Sequence, residues 1–321
     1  MRILFITSTR IGDAVLSSGL LAHLVERYPE ARITVACGPA PAPLFAAVPN
    51  IERLIVLKKQ PLGGHWLRLW ATTLPIPWHT IVDLRRTALS WLVLVKRRHR
   101  MGRELPALHK VRQYARVLGL EDAPPAPKIW TSEVDETAAR SLIPDGAPVL
   151  ALGPTANWSG KEWPPERFAE LAVRLTGPKG PMPGARLAVF AGPGERDRAL
   201  PALESVPASR RIDLAGTLDL PTAHACLARC GFYAGNDSGL MHLAAAADTP
   251  TLGLFGPSRT EHYAPWGEAA DCVRTMQSYD ELVGAPGYDH RTTGSLMDGL
   301  SVDAVADAAG ALLKRVGACA A

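Results

Sequence analysis

Unbroken apolar runs alternate along the first hundred residues with stretches whose apolar residues recur three and four apart. Runs of the first kind are "RILFIT" at 2–7, "RITVAC" at 32–37, "IERLIVL" at 51–57 and "TIVDL" at 80–84. Strands covered on both faces have this composition, whereas a half-exposed strand alternates apolar and polar residues. Val15, Leu16, Leu20, Leu21, Leu24 and Val25 share one helical face, which predicts a helix over 13–28. "PAPLFAAV" at 41–48 predicts a short helix, and the helix-like pattern of 86–98 predicts another behind "TIVDL". Strand–helix alternation of this kind builds a doubly wound parallel sheet.

Pro-rich "DAPPAPK" at 122–128 marks the edge of this series. A second series follows, with strands predicted at "APVLALGP", "ARLAVFAGP", "RIDLAG", "GFYAGND" and "TPTLGLFGP". Its helices are predicted at "PPERFAELAVRL", "ERDRALPAL", "LPTAHACLARC" and "SGLMHLAAAA". The last predicted helix, "SVDAVADAAGALLKRV", has Ser301 as its cap and Asp303 in its first turn. Met276–Leu300 has no clear pattern. The expected fold class is α/β, one architecture used twice. A Rossmann-like domain over 1–145 and a second over 146–321 would face each other across a cleft. The final helix is a candidate to pack back on the first domain. Ligands of such sheets sit outside the carboxyl ends of the strands.

Composition adds limits. The chain has 321 residues, 47% hydrophobic and 21% charged, the profile of a soluble globular protein of two domains. No apolar run is long enough for a membrane-spanning helix, and "MRILFITSTR" reads as a strand and not as a leader. Five scattered cysteines (Cys37, Cys226, Cys230, Cys272, Cys319) read as buried or free thiols of a reducing cytoplasm. The charge is uneven. Residues 1–145 carry a net +8 and residues 146–321 a net −4, giving the overall +4. Much of the excess is the run Lys96, Arg97, Arg98, Arg100 and Arg103. Such a run is either a solvated face or a site for an anionic partner.

Four motifs sit at predicted strand ends. Gly12-Asp13 follows the first strand, where Asp13 either caps the helix start or serves as a carboxylate base. In "GPTANWSGKEWPPERF" (153–168), Thr155, Ser159 and Lys161 are loop residues before a helix, Lys161 being either solvated or a phosphate ligand. Glu195 in "FAGPGERDRAL" is either a cap or a ligand for ribose hydroxyls. In "AGNDSGLMHLAAAADTPTLGLFGPS" (234–258), Asp237, Ser238, Gly239 and His242 open a helix of small residues, a local anion site. No G-x-G-x-x-G follows the first strand and no D-x-D pair lies near these motifs.

Taken in order and spacing, "RIGDAVL", "GKEWPPERF", "GPGERD" and "NDSGLMHLAAAADTPTLGLFGPS" resemble glycosyltransferase family 9, the ADP-heptose:lipopolysaccharide heptosyltransferases, over roughly residues 2–316. The resemblance implies the GT-B architecture and an inverting, metal-independent transfer without a cofactor. ADP-heptose or a related nucleotide-diphosphate sugar would be the co-substrate. Asp13 would be the base and Lys161 the cation on the leaving diphosphate. Glu195 would bind the ribose, and Asp237, Ser238, Gly239 and His242 the phosphates, with Thr155 and Ser159 in the donor loop. Gly12 would leave room for the acceptor, an anionic glycolipid of lipopolysaccharide-core type. Lys96, Arg97, Arg98, Arg100 and Arg103 would lie on the acceptor side. An anionic inner-membrane surface is a further candidate partner; nucleic acid is not. The expected location is cytoplasmic, peripheral at the inner membrane. Ser159 and Gly160 stand where some family members carry acids. The alternative function is a nucleotide-sugar-binding protein of the same fold with another donor and acceptor, or without transfer. A Rossmann oxidoreductase lacks its fingerprint here.

Overall fold

The computed structural model describes residues 1–290 and 292–319, with side chains through residue 317; the side chain of Cys319 lies outside the described residues. The chain forms two compact units, Met1–Ser132 and Glu133–Ala321.

The first unit contains β1 (Arg2–Ile6), α1 (Ile11–Arg27), β2 (Arg32–Cys37), β3 (Ile51–Val56), α2 (Gly64–Thr73), β4 (Trp78–Asp83), β5 (Val95–Arg100) and α3 (Lys110–Ala115). Its sheet has the order β3-β2-β1-β4-β5, and every pairing is parallel. The strand sequences explain the placing. β1 and β2 are buried almost throughout, as central parallel strands must be. On one face Leu4, Ile6, Leu69, Trp78, Ile81, Leu89 and Val93 form a common core, and α1 packs with α3.

Two expectations change here. The 41–48 segment contains only a 3-10 turn, Ala42–Phe45. The 86–98 segment is not a helix: it holds a 3-10 turn at Leu89–Trp91 and then β5. Pairing to β4, with Trp78 opposite Val95 and Asp83 opposite Arg100, overrides the helical pattern. The basic run is therefore largely an edge strand with Lys96, Arg97, Arg98 and Arg100 exposed. Charges on an edge keep it from pairing with another chain.

The Pro-rich 122–128 segment belongs to the first unit. There Lys128 N–H donates to Ser18 Oγ of α1 at 2.9 Å. The break comes at Ser132/Glu133, not at the expected 145/146. The reason is α4 (Glu133–Leu142), which packs on α7 (Leu220–Leu227) of the second unit. Thr222 Oγ1 donates to Asp135 at 3.0 Å, and Arg229 Nε donates to the Ile143 carbonyl at 2.6 Å.

The second unit continues with β6 (Val149–Gly153), α5 (Pro165–Thr176), β7 (Arg186–Ala191), α6 (Arg196–Glu204) and β8 (Arg211–Ala215). After α7 come β9 (Phe232–Asn236), α8 (Gly239–Ala246), β10 (Thr251–Phe255), α9 (Thr260–Tyr263), β11 (Ala270–Arg274), α10 (Tyr279–Val283) and α11 (Val302–Cys319). The all-parallel order is β11-β10-β9-β6-β7-β8. Counted within the unit, this is the doubly wound 3-2-1-4-5-6 order. The core joins Leu150, Leu152, Trp163, Phe168 and Leu171 to Val305, Ala309 and Leu312. The final helix thus packs on its own unit, against α5, β10 and β11, with Arg315 pairing Asp271 at 3.0 Å. As expected, Ser301 caps it, accepting from Ala304 N–H at 3.2 Å. Cys37, Cys226, Cys230 and Cys272 are free thiols. Burial pushes Cys37 up to about 12 and Cys226 to about 11, which makes them unreactive.

In each sheet the chain reverses its winding at one place: between β1 and β4 in the first unit, between β6 and β9 in the second. The loops leaving those strands are where ligands of this architecture bind.

Candidate active site

In the first unit the turn after β1 carries Gly12 and Asp13 into α1. Arg10 occupies the N-cap, without a side-chain cap, and Asp13 lies in the first turn. The cap reading of Asp13 is therefore replaced. Its half-buried carboxylate takes hydroxyl donors on both oxygens: Tyr114 OH of α3 on Oδ1 at 3.2 Å and Ser8 Oγ on Oδ2 at 3.5 Å. Ser8 Oγ itself accepts from Arg10 N–H at 3.1 Å, so the turn holds the group that aims the carboxylate.

The loop after β4 is built by Asp83, fully buried at the end of that strand. Its carboxylate accepts from the N–H groups of Arg85 (2.9 Å) and Thr87 (2.8 Å) and from Thr87 Oγ1 (2.8 Å). Burial raises its pKa, and these donors oppose the rise. The basic residues are spread along β5. Arg100 is level with Asp83 and Ile6 at the carboxyl edge, and Lys96 lies toward the other end. Arg98 is stacked on Trp91 at 4.6 Å, Arg100 donates to the Arg86 carbonyl at 2.7 Å, and Arg103 is exposed beyond the strand.

In the second unit the structure joins residues from two motifs. Lys161 Nζ lies 2.5 Å from Asp237 Oδ2, the two side chains being 24% and 6% exposed. His242 Nε2, one turn into α8 and buried, is 4.0 Å from Asp237 Oδ1, in Coulomb reach but beyond hydrogen-bond length. Ser238 is the N-cap of α8 and makes no capping bond. The first N–H groups of that helix have no acceptor within the helix, and its positive end faces the same place. Lys161, Asp237, Ser238, Gly239 and His242 thus form an N–H-rich corner at the α8 start, in which the charges of Lys161 and Asp237 offset each other. The Oγ atoms of Thr155 and Ser258 are buried without a hydrogen-bond partner among the described residues, so two strand-end loops each present an unused hydroxyl. Ser159 is exposed in the Lys161 turn.

Below this corner runs the side chain of Tyr233. Its phenol occupies the space that a Cβ on Gly153 or Gly235 would need, so both strands must carry glycine there. Burial pushes the phenol pKa well up, partly offset by the Ser238 hydroxyl. Glu195 stands apart at the α6 start. It accepts from Gly192 N–H at 2.8 Å and pairs with Arg198 at 3.1 Å, so any ribose would share it with these groups.

Several residues that hold this geometry carried no legible signal. Fully buried Asn236 accepts from Trp163 N–H at 3.1 Å and donates to the Pro154 carbonyl at 2.8 Å. It clamps both ends of the loop that bears Lys161. The patternless 276–300 segment is tied to that loop too. Leu296 N–H donates to the Gly160 carbonyl at 3.0 Å, and Ser295 Oγ to the Glu162 carbonyl at 2.6 Å. Trp158 stacks on His290 at 5.0 Å.

The family model for glycosyltransferase family 9 (heptosyltransferase) matches residues 74–283. Lipopolysaccharide heptosyltransferase 2 of Salmonella typhimurium is 26% identical, over 88% of this chain and 90% of that protein. Lipooligosaccharide heptosyltransferase 2 of Haemophilus influenzae is 25% identical, over 86% and 89%. Among solved structures, the Escherichia coli ADP-heptose lipopolysaccharide heptosyltransferase II is similar with a TM-score of 0.76 at 21% identity, covering 99% of this chain and 100% of that one. A glycosyltransferase family 9 protein from Veillonella parvula gives 0.77 at 22%, covering 98% and 97%. The fold is thus GT-B, and the family model spans well over half of the chain: the chain belongs to glycosyltransferase family 9 and is a glycosyltransferase.

Proposed function

We propose that the enzyme moves a heptose from ADP-heptose to a lipopolysaccharide-core acceptor at the cytoplasmic face of the membrane, with inversion and without a metal ion. The observation that carries this reading is the Lys161–Asp237–His242 cluster at the N-terminus of α8, which fits a departing diphosphate. The names of the relatives supply the sugar and the acceptor class.

Inversion requires one base on the acceptor and charge stabilisation on the leaving group. Asp13 takes the proton of the acceptor hydroxyl as its oxygen bonds to the anomeric carbon. The bond from that carbon to the phosphate oxygen breaks on the opposite face. Tyr114 and Ser8 donate to the two carboxylate oxygens and hold the group's orientation. Lys161, held by Asp237, and the α8 N–H groups take the diphosphate charge. At about 3 Å, a Lys–phosphate contact is worth roughly 5 kcal/mol at an effective dielectric of 20.

The test combines ADP release with product mass, using ADP-heptose and a delipidated core acceptor. Asp13→Asn is expected to cut kcat by about 10²–10⁴ while ADP still raises the melting temperature. EDTA should leave the rate unchanged, and NMR should show an inverted anomeric centre. Wild-type transfer by Asp13→Asn would falsify the assignment.

A further inference from the structure

The first unit exposes an unusual amount of apolar surface in one part of the chain. Leu62 is fully exposed at a loop tip with a left-handed φ of 51°, Leu67 is 65% exposed, Trp91 63%, Leu92 57% and Leu94 75%. Large apolar patches on a soluble unit mark a partner. A groove of about 610 Å³ opens among them, walled by Trp66, Leu67 and Trp70 of α2 and by Leu89 and Leu92 of the loop after β4. Trp70 Nε1 donates to the Leu92 carbonyl at 3.1 Å and ties the two walls together.

The rim is cationic. Arg85 and Arg86 line the groove, Arg85 lies over Trp66 at 5.9 Å, and Arg98 over Trp91 at 4.6 Å. Tryptophan beside arginine around apolar side chains is the composition of a surface that sits at the headgroup level of a bilayer. Anionic phosphates complement this excess of positive charge. The Asp83 clamp shapes the same loop, and β4 pairs with β1, whose following turn leads to Asp13.

We propose that the Leu62–Leu94 region is a membrane-docking surface for an anionic phospholipid bilayer. Leu67, Trp91, Leu92 and Leu94 enter the headgroup–acyl boundary, and Arg85, Arg86 and Arg98 bind lipid phosphates. This extends the reading above by naming the surface, and it makes the apolar patch the principal anchor in place of the basic edge strand alone.

The test is co-sedimentation of the full chain with phosphatidylcholine vesicles, with and without about one third phosphatidylglycerol, at low and high salt. It contains no sugar, so its result is independent of the transfer reaction. Wild type should bind anionic vesicles at least tenfold better than neutral ones, and retain part of the binding at high salt because part is apolar. Leu67→Ser/Trp91→Ser/Leu94→Ser, all exposed positions, should melt like wild type and lose at least tenfold in vesicle affinity. Its transfer to a delipidated acceptor should stay at the wild-type rate. The proposal is overturned if the triple variant sediments like wild type, if wild type ignores anionic vesicles, or if the substitutions only dissociate a dimer in light scattering without changing vesicle binding.

Discussion

Replacing either member of the Lys161–Asp237 pair removes the same 2.5 Å contact, yet the costs should differ. In Lys161→Met the carboxylate of Asp237 stays behind, 6% exposed, with His242 Nε2 4.0 Å away. Stripping a buried charge of its partner costs about 3–5 kcal/mol; the 24% exposure of Lys161 means water reaches the site, so about 2–3 kcal/mol is expected here. In Asp237→Asn the lysine can turn to solvent on its flexible stem, and the cost should stay near or below about 1 kcal/mol. The double variant should recover most of the Lys161→Met loss, because no buried charge remains. Urea unfolding is the assay, with about 2–3 kcal/mol per M as the slope; Lys161→Met should lower the midpoint by about 1 M and Asp237→Asn by about 0.4 M or less. ADP should protect wild type and fail to protect Lys161→Met. Equal losses for the two single variants, or a double variant worse than Lys161→Met, would refute the reasoning.

Other outcomes follow from neighbouring features. Asn236→Ala should cost about 2–3 kcal/mol in urea, since it leaves the Trp163 N–H and the Pro154 carbonyl buried and unpaired; transfer should fall with it as the Lys161 loop loosens. Tyr233→Phe removes a buried hydroxyl that has no well-formed partner among the described residues, so stability should change by less than about 1 kcal/mol in thermal melts. Burial holds the His224 imidazole below its ordinary 6.5. The unfolded chain then binds the proton first, and stability falls as pH drops from 6.5 toward the lower folded value. Urea midpoints at about pH 7.5 and 5.5 should show this loss, and His224→Asn should reduce it.

How much of this was readable depended on what each residue touches. Central strands were legible because burial on both faces leaves a continuous apolar run, as in β1 and β6. The edge strand β5 was not, because exposed residues carry no burial pattern and the preceding Leu89–Val93 suggested helix. The wall of the docking surface, α2, escaped for the same reason, with apolar residues on both its buried and its exposed sides. Lys161 and Asp237 stood out singly, at strand ends, but their pairing spans two loops of the sheet. Nothing near Tyr114 in the sequence pointed to Asp13, a hundred residues earlier. The clamp by Asn236 lay inside a motif already noticed, concealed among candidate ligand-binding residues.

The phenol of Tyr233 fills space that Gly153 and Gly235 leave open. This couples the three positions and fixes the order in which they can change. A lineage that gains any side chain at either glycine while the tyrosine remains meets a clash in the middle of a parallel sheet. One that first trades the tyrosine for a smaller residue passes through a void beneath the α8 start. The accessible order is therefore tyrosine first and glycines second, and relatives should sort into two groups, large aromatic with paired glycines or small residue with side chains at the two glycine positions.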